Sequence, residues 1–247
     1  MSLRNRVALI TGGTRGIGKG IALGLAREGA RIAIVYRANK AAAQAALREL
    51  QAVGADCVAV ETDITESARA DQLVKTVADR YGRLDVLVNN VGEFRWGTLA
   101  DSSVEEWTGI FESNVTTVFH MCHAALPPMR KGRWGRIINL GAVGAERAFG
   151  QAKISAYAAA KAAVVAMSRS LALEEAKNGI TVNVVNPSSI DEKDLTLEEA
   201  RKLKDARYPI GRPPTVDDVA AAVSFFASEE AEYVTGQVVN VSGGWML

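Results

Sequence analysis

The feature that most constrains the fold of this chain is a regular alternation of short apolar runs with longer amphipathic stretches. The short runs, rich in Val and Ile, predict strands at residues 6–11, 31–36, 57–61, 86–88, 136–140, 181–185 and 237–241. The longer stretches predict helices at 17–28, 40–53, 66–81, 104–129, 156–177 and 216–228. Because the strands are apolar throughout, both of their faces must be covered. The pattern therefore predicts an α/β fold, a doubly wound parallel sheet of seven strands with helices on both faces.

Local signals mark where several of these helices begin and end. Four glycines each follow a helical stretch, where a residue that accepts a positive φ ends the last turn: Gly29, Gly54, Gly82 and Gly179. Ser103 and Glu106 have the spacing of a capping box, which predicts the start of the helix at 104.

The chain is predicted to form a single domain over residues 1–247, because it contains neither internal repeats nor a linker-like segment. Residues 188–210 differ from the rest in being charged, with a short helical pattern at 196–204. This segment follows the carboxyl end of a strand, where open α/β sheets place their ligands. We therefore expect it to form a short substrate lid.

Composition excludes several classes of function. The 29 Lys and Arg nearly balance the 28 Asp and Glu, without a block of like charge, so no nucleic-acid partner is expected. The sequence lacks both an apolar run long enough to span a bilayer and a secretory leader pattern. It therefore predicts a soluble, cytoplasmic protein without a membrane partner. Cys57 and Cys122 have no metal-ligand spacing around them. Free thiols are the simplest interpretation, and a disulfide is the open alternative.

A glycine-rich run, TGGTRGIG from Thr11 to Gly18, directly follows the first predicted strand. Glycines at such a turn let the backbone approach a diphosphate, while the next helix offers unpaired N–H groups and its positive dipole end. The alternative is a tight turn that needs glycine for its own conformation. The position after the first strand favours a nucleotide site. Its predicted members are Gly12, Thr14, Arg15, Gly16, Ile17 and Gly18.

The end of the second strand indicates which nucleotide would bind. Proteins that bind NAD usually place an acid there, to hold the ribose 2′-hydroxyl. Here the strand ends at Tyr36 and Arg37, without an acid. Arg37 and Arg15 can together cover a 2′-phosphate with two guanidinium groups, which predicts NADP(H) as the cofactor. Solvated surface arginines are the alternative.

Five motifs follow one another along the chain: the glycine-rich run, NNVG at 89–92, Asn114, YAAAK at 157–161 and Asn-Pro at 186–187. Together they resemble the short-chain dehydrogenase/reductase family, specifically its branch similar to 3-oxoacyl-[acyl-carrier-protein] reductases, over essentially the whole chain. The resemblance implies a Rossmann-type fold and a homotetramer. It also implies cofactor contacts by Asp63, Ile64, Asn90, Gly92 and Ile190, with a helix N-cap as the competing role of Asp63.

Tyr157 and Lys161 are four residues apart on a predicted helix and therefore share a face. A carbonyl that accepts hydride needs a proton on its oxygen, which a tyrosine hydroxyl can supply. An ammonium at about 4 Å attracts the phenolate by roughly 4 kcal/mol at an effective dielectric of about 20. We therefore expect Lys161 to lower the pKa of Tyr157. The resemblance implies that Lys161 also holds the nicotinamide ribose, and that Asn114 supports a relay water beside it.

The resemblance breaks at the serine that, in the family, hydrogen-bonds the substrate carbonyl. Ala142 occupies its place in the turn after the fifth strand. The chain has no Ser, Thr or Tyr between Thr117 and Ser155, so shifting the alignment recovers no hydroxyl, and Ser155 is predicted to cap its own helix. Pro-Ser also replaces the usual Pro-Gly at 187–188, and Glu192 stands where a threonine often contacts the cofactor.

These residues predict an NADPH-dependent oxidoreductase that reduces a carbonyl to a secondary alcohol, with Tyr157 as proton donor. The substrate is expected to be a small molecule or an acyl thioester, with 3-oxoacyl thioesters as one candidate. Phe94, Trp96 and Trp107 either border the substrate pocket or pack beneath a loop. The alternative function, motivated by Ala142 and by the Pro-Ser turn, is a catalytically impaired NADP(H)-binding protein that acts as a redox sensor or a cofactor-holding subunit.

Overall fold

The central element of the computed structural model, which describes residues 2–191 and 193–246, is a seven-stranded parallel sheet. Its strands are β1 (Val7–Thr11), β2 (Arg31–Tyr36), β3 (Cys57–Glu61), β4 (Val86–Asn89), β5 (Gly135–Leu140), β6 (Ile180–Pro187) and β7 (Val238–Val241). They lie in the order β3-β2-β1-β4-β5-β6-β7, and each neighbouring pair is parallel. The predicted doubly wound α/β fold is thereby confirmed.

Helices connect the strands and lie on both faces of the sheet. In chain order they are α1 (Gly16–Arg27), α2 (Lys40–Ala52), α3 (Ser67–Tyr81), α4 (Val104–Phe111), α5 (Thr117–Gly132), α6 (Ser155–Glu175), α7 (Leu197–Ala200) and α8 (Val216–Ala227). Two apolar cores result. One contains α1, α2 and α8 and the other contains α3, α5 and α6. Leu9 and Ile10, neighbours in β1, are buried in opposite cores, which explains why the strands are apolar at every position.

The predicted helix at 104–129 is interrupted. A π-helical turn (Glu112–Thr116) lies between α4 and α5 and contains Asn114. Such turns occur frequently at functional sites, because the extra residue rotates the side chains that follow it. Sequence periodicity did not reveal it, since one added residue barely disturbs the apolar pattern.

The capping signals are confirmed at most of these helix ends, and the cap expected of Ser155 is wrong. Ser103 and Glu106 form the predicted capping box, with the Glu106 N–H donating to Ser103 Oγ over 3.2 Å. The four helix-ending glycines have φ values of 95°, 82°, 78° and 75° in chain order. Ser155, however, is the first residue of α6 and makes no cap, because Ile154 occupies the N-cap position.

The strand order determines where a ligand can bind. β1 lies between β2 and β4, so the winding of the chain reverses between β1 and β4, and the turns that follow the two strands diverge. A crevice opens at this point, on the carboxyl edge of the sheet. Within the described residues, no helix is both long enough and apolar enough to cross a membrane. Cys57 and Cys122 are free thiols, as predicted.

Candidate active site at the carboxyl edge of the sheet

A cleft of about 850 Å³ runs along the carboxyl edge of the sheet, between the turns that follow β1 to β6. Most of the predicted site residues line it: Gly12, Arg15, Gly16, Ile17, Gly18, Arg37, Asp63, Ile64, Asn90, Gly92, Tyr157 and Lys161. The remaining three do not: Thr14 is half-buried in the turn, Asn114 is fully buried behind the cleft, and the Ile190 side chain lies in an apolar core. The fold thus gathers at one edge residues that are far apart in sequence.

The glycine-rich turn holds the backbone close to itself and to β2. A Cβ atom built on Gly18 would lie 2.3 Å from the Gly12 carbonyl oxygen, and one on Gly13 would lie 2.6 Å from Ile34 Cγ2. Gly12 itself has a φ of 65°, which disfavours other residues. Arg15 occupies the N-cap position of α1, and within the described residues its side chain makes no capping hydrogen bond. Backbone N–H groups at the start of α1 therefore remain available to an anion.

Thr11, a member of the glycine-rich run without a predicted role of its own, ties the ends of β1 and β4 together. Its Oγ1 accepts the backbone N–H groups of Asn90 over 2.9 Å and Val91 over 3.1 Å. The Asn90 amide in turn donates to the Thr11 carbonyl over 3.0 Å, so Asn90 braces the crevice that it lines. Asn89 donates to Asn139 Oδ1 over 2.8 Å, which is the strand-tying role expected of a buried amide at that position.

Arg15 and Arg37 are both exposed and line the β2 side of the cleft. Asp63, on the same side, accepts the Thr65 N–H over 3.1 Å and the Thr65 hydroxyl over 2.9 Å. The hydrogen bond from the Thr65 backbone, together with the charge of Arg37, holds the pKa of Asp63 below its usual value. The predicted N-cap role is wrong, because α3 begins at Ser67 and its N-cap is Glu66.

Tyr157 and Lys161 lie on α6 and reach the cleft beside the end of β5. Lys161 is buried and its Nζ donates to the Leu140 carbonyl over 2.8 Å, while lying 5.6 Å from the centroid of the Tyr157 ring. Among the described residues, the Tyr157 hydroxyl has no hydrogen-bond partner. It is therefore free to bond a group that enters the cleft.

The predicted direction of the Tyr157 pKa shift is wrong for the chain taken alone. Burial raises the pKa of Tyr157 to about 12, and burial lowers the pKa of Lys161 to about 8. The ammonium is directed at the Leu140 carbonyl, so its attraction for the phenolate does not outweigh the loss of solvation. At neutral pH both groups consequently hold their protons.

Asn114 is anchored behind Gly92 by the π-helical turn. Its Nδ2 donates to the carbonyls of Glu93 over 2.8 Å and Ile110 over 3.0 Å. Its Oδ1 is buried and has no partner in the described part of the molecule. A Cβ atom on Gly92 would lie 2.2 Å from that oxygen and 3.4 Å from Lys161 Nζ, so only glycine fits between them. Asn114 Oδ1 and Lys161 Nζ therefore face the same small space.

A polar cluster that sequence reasoning missed lies under the turn carrying Ala142. Asn186 Nδ2 donates to Glu146 Oε2 over 3.0 Å and to Asn240 Oδ1 over 2.9 Å, and Asn240 donates to Glu146 Oε1 over 3.0 Å. Burial alone would raise the pKa of Glu146, but hydrogen bonds, the one from Asn240 foremost, lower it. A Cβ atom on Gly141 would lie 1.9 Å from Asn186 Oδ1. The asparagine thus fills the space that a side chain at 141 would need.

Aromatic side chains stand next to the Tyr157 ring. Phe94 meets Tyr157 edge-on with 5.0 Å between ring centroids, and Trp96 lies 5.9 Å from Phe94. Phe94 is 56% exposed and Trp96 is 55% exposed. They therefore do not pack beneath a loop, which was one of the two predicted roles for these residues. Trp107, by contrast, stacks on Phe111 of α4 at 5.0 Å.

The segment after β6 contains one position outside the described residues and two cleft residues that the sequence did not single out. Glu192 lies outside the described residues. Lys193 and Asp194 line the cleft although no motif singled them out. Buried Ser188 lies next to Pro187, and its Oγ has no hydrogen-bond partner within the described ranges.

The fold and the cleft together define the class of α/β oxidoreductases, with a glycine-rich first turn and a tyrosine–lysine pair on a helix. A family model described as "Enoyl-(Acyl carrier protein) reductase" matches residues 12–246. A 3-oxoacyl-[acyl-carrier-protein] reductase of Staphylococcus aureus is 39% identical over 97% of this chain and 98% of that protein. Its counterpart in Vibrio cholerae is 40% identical over the full length of both chains.

Solved structures agree with these relatives. A Bacillus thuringiensis protein provisionally described as a 3-oxoacyl reductase superposes with a TM-score of 0.88 at 35% identity, over 96% of this chain and 97% of that one. A protein of Sinorhizobium meliloti, provisionally described as a short-chain alcohol dehydrogenase, gives 0.90 at 28% identity over 99% and 98%. The chain belongs to the short-chain dehydrogenase/reductase family, whose members are oxidoreductases that use nicotinamide cofactors.

Proposed function

We propose that this protein is an NADPH-dependent reductase that converts a carbonyl into a secondary alcohol. The observation that carries the proposal is the set of residues that line a single cleft. Arg15 and Arg37 line it on the β2 side, while Tyr157 and Lys161 line it on the β5 side. An anion-binding end and a proton-donating end are thus joined across the switch point of the sheet.

The residues on the β2 side fit a phosphorylated dinucleotide. The glycine-rich turn and the uncapped start of α1 fit its diphosphate. Arg15 and Arg37 fit the ribose 2′-phosphate, and β2 ends without the acid that would favour NADH. When bound, the nicotinamide supplies the hydride for the carbonyl carbon.

Tyr157 has the properties of the proton donor. With its pKa raised to about 12, the hydroxyl is protonated at neutral pH, as a general acid must be. Lys161, with a pKa of about 8, is cationic at neutral pH and stabilises the phenolate that proton transfer leaves behind. The orphan Asn114 Oδ1 fits a water that would return a proton towards Lys161.

Ala142 leaves the carbonyl oxygen with fewer hydrogen-bond donors than in serine-bearing family members. Loss of one such donor typically costs about 10²–10³ in turnover. The remaining donor is the Tyr157 hydroxyl, whose position is fixed by α6. We therefore propose an active but slow reductase, whose substrate must compensate by binding elsewhere in the site.

The exposed rings of Phe94 and Trp96 support an apolar substituent on the substrate. They adjoin the Tyr157 ring, so a carbonyl bonded to its hydroxyl would place its substituent against them. The acyl chain of a 3-oxoacyl thioester, the substrate class named for the relatives, and the ring of an aryl ketone both meet this requirement.

The remaining parts of the proposal concern organisation. We propose a single domain in which residues 188–210 act as a lid, and a cytoplasmic homotetramer. The edge strand β7 supports subunit contacts, since Val239 is 40% exposed, and Tyr233 just before it is 99% exposed. Trp245, which follows β7 by four residues, has its ring centroid 6.3 Å from that of Tyr208.

The alternative, a catalytically impaired NADP(H)-binding protein, is not favoured. Its motivation is Ala142 and the Pro-Ser turn at 187–188, whereas Tyr157, Lys161 and Asn114 are all present and close together. The relatives compared above carry the names of reductases.

The proposal is tested by NADPH oxidation with a panel of 3-oxoacyl thioesters, aryl ketones and small aliphatic ketones. We expect turnover with members that carry an apolar substituent, and a fall of about 10²–10⁴ for Tyr157→Phe with NADPH binding retained. Phe94→Ala should lower kcat/KM for the apolar members but not for the smallest ketone. Equal rates for wild type and Tyr157→Phe across the whole panel would overturn the proposal.

A further inference from the structure

One lysine reaches the cleft from the side opposite the glycine-rich turn. Lys193, in the segment after β6, lies so close to Gly16 that a Cβ atom built on the glycine would be 2.9 Å from Lys193 Cδ and 3.7 Å from Cε. Gly16 is the first residue of α1 and has a φ of 52°. The aliphatic part of the lysine therefore crosses directly over the start of this helix.

The residues just before Lys193 are tied to the later part of the same segment. The Tyr208 hydroxyl donates to the Ser189 carbonyl over 2.9 Å. Arg207 binds Asp191 over 2.9 Å and Asp205 over 2.8 Å. The position of Lys193 over Gly16 is thus supported by contacts that the residues just before it make within the same segment.

The charge of Lys193 is not neutralised by an ion pair within residues 2–191 and 193–246. Its surroundings in the cleft include the open N–H groups of α1, which also attract anions. Two independent features therefore favour negative charge at this place. The start of α1 lacks a side-chain cap, and the positively charged side chain of Lys193 lies across it. Arg37, by contrast, directly follows the end of β2, where the 2′-phosphate would bind.

We propose that Lys193 binds the diphosphate bridge of the dinucleotide and holds it against the start of α1. This inference rests on the proposed cofactor site. It assigns the two phosphate-bearing parts of the cofactor to different side chains: Lys193 to the diphosphate, and Arg15 with Arg37 to the 2′-phosphate. An ammonium acts on phosphate as a compact point charge, so it suits a bridge whose oxygens point in several directions.

The assignment predicts that Lys193 contributes equally to NADPH and NADH binding, because both contain the diphosphate. Lys193→Met removes the charge and keeps the apolar stem over Gly16. We expect the Kd of both nucleotides, measured by calorimetry with the full-length protein, to rise by about tenfold, the lower range for a charged hydrogen bond. Since Lys193 is exposed, the thermal unfolding temperature should not change.

Two comparison variants make the result specific. Arg37→Ala should raise the Kd for NADPH alone, and Lys202→Met, which removes an exposed lysine of the same segment that pairs with Glu198, should change neither Kd. Unchanged Kd values for Lys193→Met would overturn the inference. A loss confined to NADPH would also overturn it, by moving the lysine to the 2′-phosphate. If the wild-type protein bound neither nucleotide, the proposed cofactor site itself would fail.

Discussion

The two sides of the cleft differ in how their shapes are maintained. On the β2 side, the tightest contact of the glycine-rich turn is local, because Gly12 and Gly18 approach each other within one loop. On the β5 side, the turn at Gly141 and Ala142 rests on Asn186, Glu146 and Asn240, which come from different parts of the chain. A local motif can be recognised in the sequence and tolerates few substitutions. A surface built from residues distant in sequence can be altered by substituting any of them.

On the β5 side, Ala142 directly follows Gly141, a glycine that the Asn186 amide approaches closely. Gly141 leaves room that the Asn186 amide occupies, and the orphan Asn186 Oδ1 lies where a side chain at 141 would be. The two sides can therefore be tested separately.

The largest effect is expected from restoring the missing hydroxyl. Ala142→Ser places a donor in the turn beside the end of β5, and we expect kcat for carbonyl reduction to rise by up to about 10²–10³, with the Kd for NADPH unchanged. Steady-state kinetics on the best substrate of the panel measures this. Ala145→Ser, which adds a hydroxyl to the same turn three residues later, is the matched control and should have no such effect. An Ala142→Ser rate equal to that of the wild type would mean that the β5 side no longer supports a serine.

The next largest effect concerns the β2 side. Arg37→Ala removes a charged donor from the 2′-phosphate site, so the Kd for NADPH should rise about 10- to 100-fold while that for NADH stays the same. Calorimetric titration with both nucleotides provides the measurement. Arg31→Ala, a change at the opposite end of β2, is a suitable control. Equal losses for both nucleotides would remove the basis for NADP(H) preference.

A pH effect should arise on the β5 side alone. Burial lowers the pKa of Lys161 to about 8, so its positive charge is present below that pH and is lost above it. We expect kcat for reduction to fall by about tenfold per pH unit above pH 8, because the phenolate of Tyr157 then lacks its cationic partner. Tyr157 itself, with a pKa of about 12, stays protonated throughout this range. A kcat that remained constant up to pH 10 would contradict the role given to Lys161.

The smallest expected effect is on stability, and it tests directly whether the β5 side depends on contact between residues distant in sequence. Gly141→Ala forces a methyl group against Asn186 Oδ1 and should lower the free energy of unfolding by about 1–3 kcal/mol. In the Asn186→Ala background the same glycine-to-alanine change should cost less, because the methyl group then has space. Denaturant unfolding of the two single variants and the double variant forms a cycle that measures the coupling. Additive losses would show that the two positions do not share this space.

Much of the fold could be predicted from sequence because its signals are local. Apolar strands, helix-ending glycines and the capping box at Ser103 each depend on residues within one or two turns of each other. The π-helical turn around Asn114 could not be predicted in this way, since it shifts the helical hydrogen-bond pattern by only one residue. The cap expected of Ser155 also failed, because the loop before α6 delivers Ile154 to that position.

For the candidate site, sequence supplied the chemical groups and the tertiary structure supplied their surroundings. Tyr157 and Lys161 were identifiable from their spacing, but the direction of the Tyr157 pKa shift was not. It depends on burial and on the Leu140 carbonyl that binds Lys161. Lys193 and the Asn186 cluster had no sequence signal, because their partners Gly16 and Glu146 are distant along the chain.

The sequence by itself determined the parallel sheet, the glycine-rich turn and the absence of a hydroxyl at Ala142, because each follows from residue identity or short-range pattern. Only the tertiary structure decided which distant side chains meet: Lys193 over Gly16, Asn186 against Gly141, and Phe94 beside Tyr157. The physical reason is that such contacts depend on how the strands are ordered and how the loops cross their carboxyl ends, which no local pattern specifies.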